Sequence, residues 1–101
     1  MDIIVLPPVE KTINLLEPSL RGRLINTLLR LEKYGPYLTL PFSKKISSDL
    51  YELRVVAKIQ LRVIYCLQGD KAVLLNCFIK KSQKIPQKEM DLAKNRKNAL
   101  T

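Results

Sequence analysis

Basic side chains are concentrated in one stretch of the chain, between Arg54 and Lys84. This stretch holds seven lysine or arginine residues and a single acidic residue, Asp70. So many like charges in one part of a folded domain repel each other, and a bound polyanion would relieve that repulsion, so a polyanion is the favoured partner. Guanidinium and ammonium groups bind phosphate oxygens and neutralise the charge that develops when a phosphodiester is cleaved. We therefore expect RNA to be the partner, and the alternative is a domain that is merely basic.

Metal-free cleavage of RNA also needs a group that takes the proton of the attacking ribose 2′-hydroxyl. The chain has no histidine, so the candidates are Glu52 and a lysine crowded by other cations, which releases its proton more easily. Lys81 fits that description if it lies beside Arg54 and Arg62. Glu52 has a structural alternative, as the salt-bridge partner of either arginine. Arg54 likewise has two readings, one in the fold and one in the site.

The bulk properties limit the class of protein. With 101 residues, 47% of them apolar, the chain fits a single domain over 1–101 with its own core. No segment approaches the ~20 apolar residues of a membrane-spanning helix, and the N-terminus lacks the pattern of a signal peptide. We therefore expect a cytoplasmic protein that does not bind a membrane. The lack of histidine and of a cysteine cluster argues against zinc, so we expect no metal or other cofactor.

Apolar periodicity and turn residues predict the element order β-α-α-β-β-β-α. The first strand covers 2–6, a short helix covers 9–16, and a second helix begins at Pro18 and ends at Gly35. Residues 37–48 have loop character. Strands then cover 50–56, 60–68 and 71–80, and a last helix runs over 86–98. Separate runs of helices and hairpin-linked strands are typical of an α+β fold with an antiparallel sheet.

The second helix carries an apolar stripe that we interpret as core. Its leucines recur every three or four residues, at Leu20, Leu24, Leu28 and Leu31. Tyr51 and Tyr65 are expected at the edge of the core rather than as platforms on which bases stack. The lysines from Lys88 to Lys97 are expected to form a solvated or phosphate-binding face.

The dipeptide Gly69-Asp70 predicts a two-residue hairpin loop. With that loop, Arg62 lies opposite Cys77 and has Lys81, rather than Lys80, as its neighbour; one extra loop residue would bring in Asn76, Phe78 and Lys80 instead. The same register separates Cys66 and Cys77 by ~13 Å along the sheet. We therefore expect two buried, reduced thiols rather than a disulfide.

Three segments together resemble the phage-derived branch of the RelE/HigB toxins, within the RelE/ParE superfamily. They are Leu50-Tyr51-Glu52-Leu53-Arg54, Arg62-Val63-Ile64-Tyr65, and the run from Leu75 to Pro86 that contains Phe78-Ile79-Lys80-Lys81 and Lys84. The resemblance implies a small antiparallel sheet with two N-terminal helices on one face. It also implies the toxin of a bacterial toxin–antitoxin module, a ribosome-dependent mRNA endonuclease (mRNA interferase) that inhibits translation. The implied partners are mRNA, the ribosome and a cognate antitoxin, often of the helix-turn-helix type.

The resemblance also carries over to individual residues. Arg62 matches the arginine that steadies the scissile phosphate, Lys80 and Lys81 match a basic pair at the end of the last strand, and Arg54 matches an arginine of the preceding strand. Better-known members have a tyrosine soon after the basic pair, but this chain has none there. The expected catalytic residues are Arg62, Lys81, Lys80, Arg54 and Glu52. The expected RNA-binding residues are Lys84, Lys58, Lys44, Lys45 and Lys88.

Two other functions remain open at this stage. Relatives in the same superfamily inhibit DNA gyrase without cutting RNA, and a degenerate toxin would act only as a basic module that binds RNA or an antitoxin. Transcripts stay intact in both cases, so the fate of mRNA separates them from an endonuclease.

Overall fold

The computed structural model describes residues 1–100, which form five strands, three α-helices and one 3-10 turn. In chain order the elements are β1 (Asp2–Val5), α1 (Pro7–Asn14), α2 (Pro18–Tyr34), the 3-10 turn (Gly35–Tyr37), β2 (Ser43–Lys45), β3 (Tyr51–Arg54), β4 (Leu61–Gln68), β5 (Lys71–Ile79) and α3 (Gln87–Asn98). The α+β class is confirmed, and so is each predicted helix and strand. The prediction of a loop throughout 37–48 is wrong at β2. Its three polar residues carry no strand signal of their own and become a strand by pairing with β3.

The sheet is mixed, with the strand order β1-β5-β4-β3-β2. The four strands from β2 to β5 are antiparallel neighbours, whereas β1 runs parallel to β5. The predicted antiparallel sheet is confirmed for β2 to β5, and β1 adds a parallel strand at its edge. Parallel strands need a long connection, and here most of the chain lies between the two partners, so no local turn signal reveals the pairing.

Helices cover both faces of the sheet. The leucine stripe of α2 is confirmed as core, because Leu20, Leu24 and Leu31 are buried together with Val63 and Leu74 of the sheet. α3 covers the opposite face through Ala93, which packs in a second cluster of buried residues that contains Leu50, Ile64, Cys66, Val73, Leu75 and Phe78. The polar side chains discussed below lie on these strands at the end of the sheet where β3 ends, β4 begins and β5 ends.

The β4–β5 hairpin begins as predicted and then changes register. Gln68 lies opposite Lys71, so Gly69 and Asp70 alone form the loop, and Gly69 adopts a positive φ of 59°. Further along, Tyr65 lies opposite Leu74 but Ile64 lies opposite Asn76, which leaves Leu75 as the extra residue of a β-bulge. Beyond the bulge every residue of β5 is displaced by one position relative to β4.

α3 holds this bulge in place. The Arg96 guanidinium donates to the Leu75 carbonyl at 2.8 Å, and the Asn76 side-chain amide donates to the Glu89 carbonyl at 3.3 Å. The Asn76 side-chain oxygen accepts the backbone N–H of Cys77 at 3.0 Å. Polar groups that the bulge takes out of the strand ladder are thus satisfied, in large part by α3.

Both cysteines are free and buried, as predicted. They lie on opposite faces of the sheet, since Cys66 packs in the cluster under α3 and Cys77 in the cluster under α1 and α2. Burial, with the negative charge of Glu89 as a smaller cause, raises the pKa of the Cys77 thiol to about 12. Across residues 1–100, no helix combines the length and the apolar character that crossing a membrane requires.

Candidate functional site

Four charged residues meet where β3, β4 and β5 lie side by side. Glu52 and Arg54 are on β3, Arg62 is the second residue of β4, and Lys80 follows the last residue of β5. We call these four residues the cation cluster. Strand alternation places Glu52 and Arg54 on the same face, and Arg54 lies directly opposite Arg62. Like charges in directly opposed positions destabilise a sheet, so this pair requires a nearby negative charge.

Glu52 supplies that negative charge. Its Oε1 lies 2.9 Å from Arg54 Nε, and its Oε2 lies 3.5 Å from Arg62 Nε and 3.9 Å from Lys80 Nζ. Its side chain is 2% exposed, whereas those of Lys80, Arg62 and Arg54 are 11%, 12% and 31% exposed. One carboxylate therefore faces three cations, and the cluster keeps a net charge of +2 that reaches the surface.

Arg62 is the most constrained of the three cations. Its guanidinium also donates to the Leu61 carbonyl at 3.1 Å and to the Gln60 side-chain oxygen at 3.4 Å. Burial lowers the pKa of Arg62; the charge of Glu52 opposes this shift and that of Arg54 adds to it. An arginine stays protonated in proteins, so Arg62 carries a partly buried positive charge. Its hydrogen bonds to Leu61 and Gln60 hold that charge in one orientation, which suits the binding of a phosphate.

The contacts of Glu52 favour its structural reading. The carboxylate is nearly inaccessible and contacts cations through both oxygens. Its Oε2 accepts no hydrogen bond from residues 1–100, and neither does Arg62 Nε donate one. The two atoms face each other at 3.5 Å, as a charge pair rather than a hydrogen bond. The role of Glu52 as a proton acceptor stays a prediction, and its contacts are those of a residue that positions Arg54, Arg62 and Lys80.

The expected partners of Arg62 across the hairpin are wrong. Arg62 lies opposite Phe78 rather than Cys77, and Lys80, not Lys81, shares its face. The loop has the predicted length, but the bulge at Leu75 reverses the alternation of side chains in the rest of β5. Lys81 forms no ion pair with any described residue and does not crowd the two arginines. The contact on which its role as a proton acceptor rested is therefore absent.

The predicted RNA-binding lysines are all exposed, but they do not form one group. Lys44 lies opposite Glu52 on the edge strand β2, and the adjacent Lys45 has its ammonium 6.0 Å from the centre of the Tyr51 ring. Lys58 lies in the β3–β4 connection, close to the start of α2. Lys88 and Lys81 line a groove beside the first turn of α3, and Lys84 lies in the connection before that helix.

Tyr51 and Tyr65 contribute to the core rather than to an exposed surface. Tyr65 is 2% exposed, its ring stacks on that of Tyr51 with the centres 5.3 Å apart, and its hydroxyl is hydrogen-bonded to Ser43 at 2.5 Å. Burial raises the pKa of Tyr65. The interpretation of Tyr51 and Tyr65 as core-edge residues agrees with these contacts.

The sequence did not predict the roles of two residues at this site. Gln60 orients Arg62, and Asn76 stabilises the bulge that brings Lys80 to the cluster. Asn76 had a signal that could have been used, because it is the one polar residue within the apolar run 72–79. Among residues 1–100, no group of three or more metal-ligating side chains is placed to hold an ion.

Comparison with known proteins agrees with this architecture. The family described as phage-derived protein Gp49-like (DUF891) matches residues 11–98, which include every residue of the cation cluster. No curated protein matches the chain. The chain belongs to the Gp49-like family of phage-derived proteins, a RelE-like family whose members are compatible with the toxin of a toxin–antitoxin module.

Proposed function

We propose that this chain is a toxin of the RelE/HigB type that inhibits translation by cutting mRNA in the ribosome. The observation that carries the proposal is the cation cluster, in which three strands bring three cations around one buried carboxylate. A structural salt bridge needs one cation per carboxylate. The two additional positive charges, partly exposed on an open surface, suit a phosphodiester.

In this proposal Arg62 and Lys80 bind the scissile phosphate. Each terminal nitrogen of Arg62 uses one N–H for Leu61 or Gln60 and keeps another for a ligand. Lys80 provides a point charge, and the more exposed Arg54 meets an adjacent phosphate oxygen. Their fixed positive charges stabilise the phosphorane that forms when the 2′-hydroxyl attacks phosphorus. The phosphorane collapses to a 2′,3′-cyclic phosphate as the bond to the 5′-oxygen breaks, and the proton lost by the 2′-hydroxyl is balanced by one that the leaving 5′-oxygen takes up from solvent.

Glu52 acts in this scheme as a positioning residue. It holds Arg54, Arg62 and Lys80 together before RNA arrives, so that little reorganisation is needed when negative charge develops on the phosphate. Ribosomal RNA in the decoding site would add the alignment of the 2′-hydroxyl. The reaction then requires neither a metal ion nor another cofactor from this chain.

A cognate antitoxin is the expected protein partner. The cluster presents a net positive charge at the surface, so an acidic antitoxin segment lying over it would compete directly with RNA. Release of that segment would expose Arg54, Arg62 and Lys80 together.

Brief induction in bacteria, followed by mapping of RNA 5′ ends, tests the proposal. The unchanged chain should produce new 5′ ends within coding sequences and stop growth. Arg62→Ala combined with Lys80→Ala should abolish both effects, because the phosphate loses its two least exposed ligands. Lys11→Ala combined with Lys33→Ala is the matched control, since both lysines are exposed and lie outside the cluster.

Three outcomes contradict the proposal in different ways. Growth arrest with intact transcripts and DNA damage would indicate a target such as gyrase. Normal growth without an antitoxin would indicate a degenerate binding module. Persistence of the cleavage pattern in the double variant would show that the cluster is not the phosphate site.

A further inference from the structure

A groove lies next to the cation cluster, between the last turn of α1, the neighbouring ends of β4 and β5, and the start of α3. Its volume is about 460 Å³, within the range of about 300–1,000 Å³ that is usual for small-ligand sites. Five apolar side chains line it, namely Leu16, Leu61, Phe78, Ile79 and Pro86, of which Leu61 and Phe78 are buried. Ile79 is 42% exposed, an arrangement that leaves apolar surface open to a ligand.

The groove is basic as well as apolar. Lys81 and Lys88 line it, and Glu89 is the one acidic side chain among its described lining residues. Both lysines are exposed and free of ion pairs within residues 1–100. Lys81 and Lys88 can bind the phosphates of single-stranded nucleic acid, and the accessible apolar side chains Leu16 and Ile79 can contact a base between them.

Phe78 joins the groove to the cation cluster. It lines the groove, and in the sheet it lies directly opposite Arg62. Leu61 and Lys81, which also line the groove, are the sequence neighbours of Arg62 and Lys80. Opposed residues on neighbouring strands have Cα atoms about 4.5–5.5 Å apart. The backbone at Arg62 is therefore adjacent to one side of the groove, which makes the groove a candidate site for a nucleotide next to a phosphate bound by Arg62.

We propose that the groove binds the base of a nucleotide that flanks the scissile phosphate, with Lys81 and Lys88 on the flanking phosphates. The proposal rests on the proposed function and adds a site for substrate selection to it. It also gives Lys81 a role that fits its position, since the bulge directs this lysine away from Arg62 and Lys80.

Glu89 then becomes a residue that influences the choice of base. A carboxylate accepts hydrogen bonds from exocyclic amino groups, as in the recognition of the cytosine amino group by acidic side chains. Glu89 is half-buried, in the first turn of α3, at the groove. A base with an amino group should therefore be preferred at the flanking position over uracil, which has none.

An abasic scan tests the proposal. A short mRNA is placed in the ribosomal decoding site, with a 2′-O-methyl group at the mapped cleavage position so that it binds without being cut. Toxin affinity is measured with one abasic nucleotide at each position in turn. Loss of a base that packs against Leu16 and Ile79 should weaken binding about tenfold at one position next to the cleavage site, with little change elsewhere.

Two variants connect that position to the groove. Thr12→Trp, which puts a large ring at the groove wall, should weaken binding to the intact RNA and remove its sensitivity to the abasic site. Asn14→Trp, on the same helix but outside the groove, should bind like the unchanged chain. Lys81→Ala should lower the dependence of log affinity on log salt by ~0.7, the value for one phosphate contact on a single strand. Lys33→Ala, at an exposed position on α2, is the control and should not change that slope.

The outcomes separate this proposal from the proposed function. Binding that depends on Arg62 but is equal at every abasic position would overturn the groove as a base site and leave the phosphate site intact. An abasic effect that persists in Thr12→Trp would place the base elsewhere. Binding that is insensitive to both Arg62→Ala and the abasic scan would overturn both proposals. Protection of the groove by an antitoxin segment, with RNA binding unaffected by Thr12→Trp, would identify a protein site instead.

Discussion

Removal of the buried negative charge in Glu52→Gln should destabilise the fold and leave its shape unchanged. Three cations lie within 3.9 Å of this carboxylate, and two of them have side chains that are only 11% and 12% exposed. Loss of one partner from a buried ion pair costs about 3–5 kcal/mol. Because Arg54 is 31% exposed and the cluster opens to solvent, we expect a loss of about 2–4 kcal/mol in the free energy of unfolding.

Thermal unfolding followed by circular dichroism measures this loss. For a domain of this size, 1 kcal/mol corresponds to about 4–8 °C, so Tm should fall by about 8–32 °C. Inorganic phosphate should raise the Tm of Glu52→Gln more than that of the unchanged chain, since the ion replaces the missing charge. Glu32→Gln is the matched control, because Glu32 is exposed on α2 and forms no ion pair within residues 1–100.

Two results would refute the reasoning about Glu52. A change in Tm as small as that of Glu32→Gln would show that the carboxylate does not hold the cations together. Unchanged Tm with complete loss of RNA cleavage would identify Glu52 as the proton acceptor, the alternative that its contacts disfavour.

Further predictions concern the backbone, α3 and a thiol. Gly69→Ala should destabilise the fold by about 1–2 kcal/mol, because Gly69 has a φ of +59°. Gly22→Ala should stabilise it by about 1 kcal/mol, because Gly22 lies inside α2 and an added Cβ meets nothing within 4 Å. Urea unfolding measures both changes. Arg96→Ala should cost about 1.5–3 kcal/mol and speed hydrogen exchange in α3, because its bond to Leu75 is lost; unchanged exchange would contradict this. Cys77 should resist alkylation in the folded chain below its pKa of about 12, which mass spectrometry can check. Because folding raises the pKa of this thiol, its contribution to stability is complete below pH 9 and is lost as pH rises toward 12.

Local signals in the sequence predicted most of the fold. The leucine spacing of α2, Pro18 at its start and the Gly69-Asp70 loop each act over a few residues, and each appears in the structure as expected. The partner of β1 could not be read in this way, because its pairing with β5 depends on packing of the whole chain. β2 was missed for a related reason, since Ser43, Lys44 and Lys45 have no strand preference without β3 beside them.

The candidate site was predicted as residue types but not as geometry. Arg54, Arg62, Lys80 and Glu52 were all selected from the sequence, and the structure brings these four together. Lys81 was assigned to the wrong side because strict alternation was assumed along β5. One unpaired residue, Leu75, reverses every later side chain, and a bulge has no reliable sequence signature apart from an interrupting polar residue.

The rate of a single turnover on ribosome-bound mRNA tests the central claim most directly. Removal of one preorganised donor from a developing oxyanion typically costs about 10²–10³ in rate. We therefore predict a loss of that size for Arg62→Ala and an unchanged rate for Lys33→Ala, with saturating toxin in both cases. An Arg62→Ala rate within about twofold of the unchanged chain, against the expected 10²–10³, would contradict the account of the cation cluster as the phosphate site.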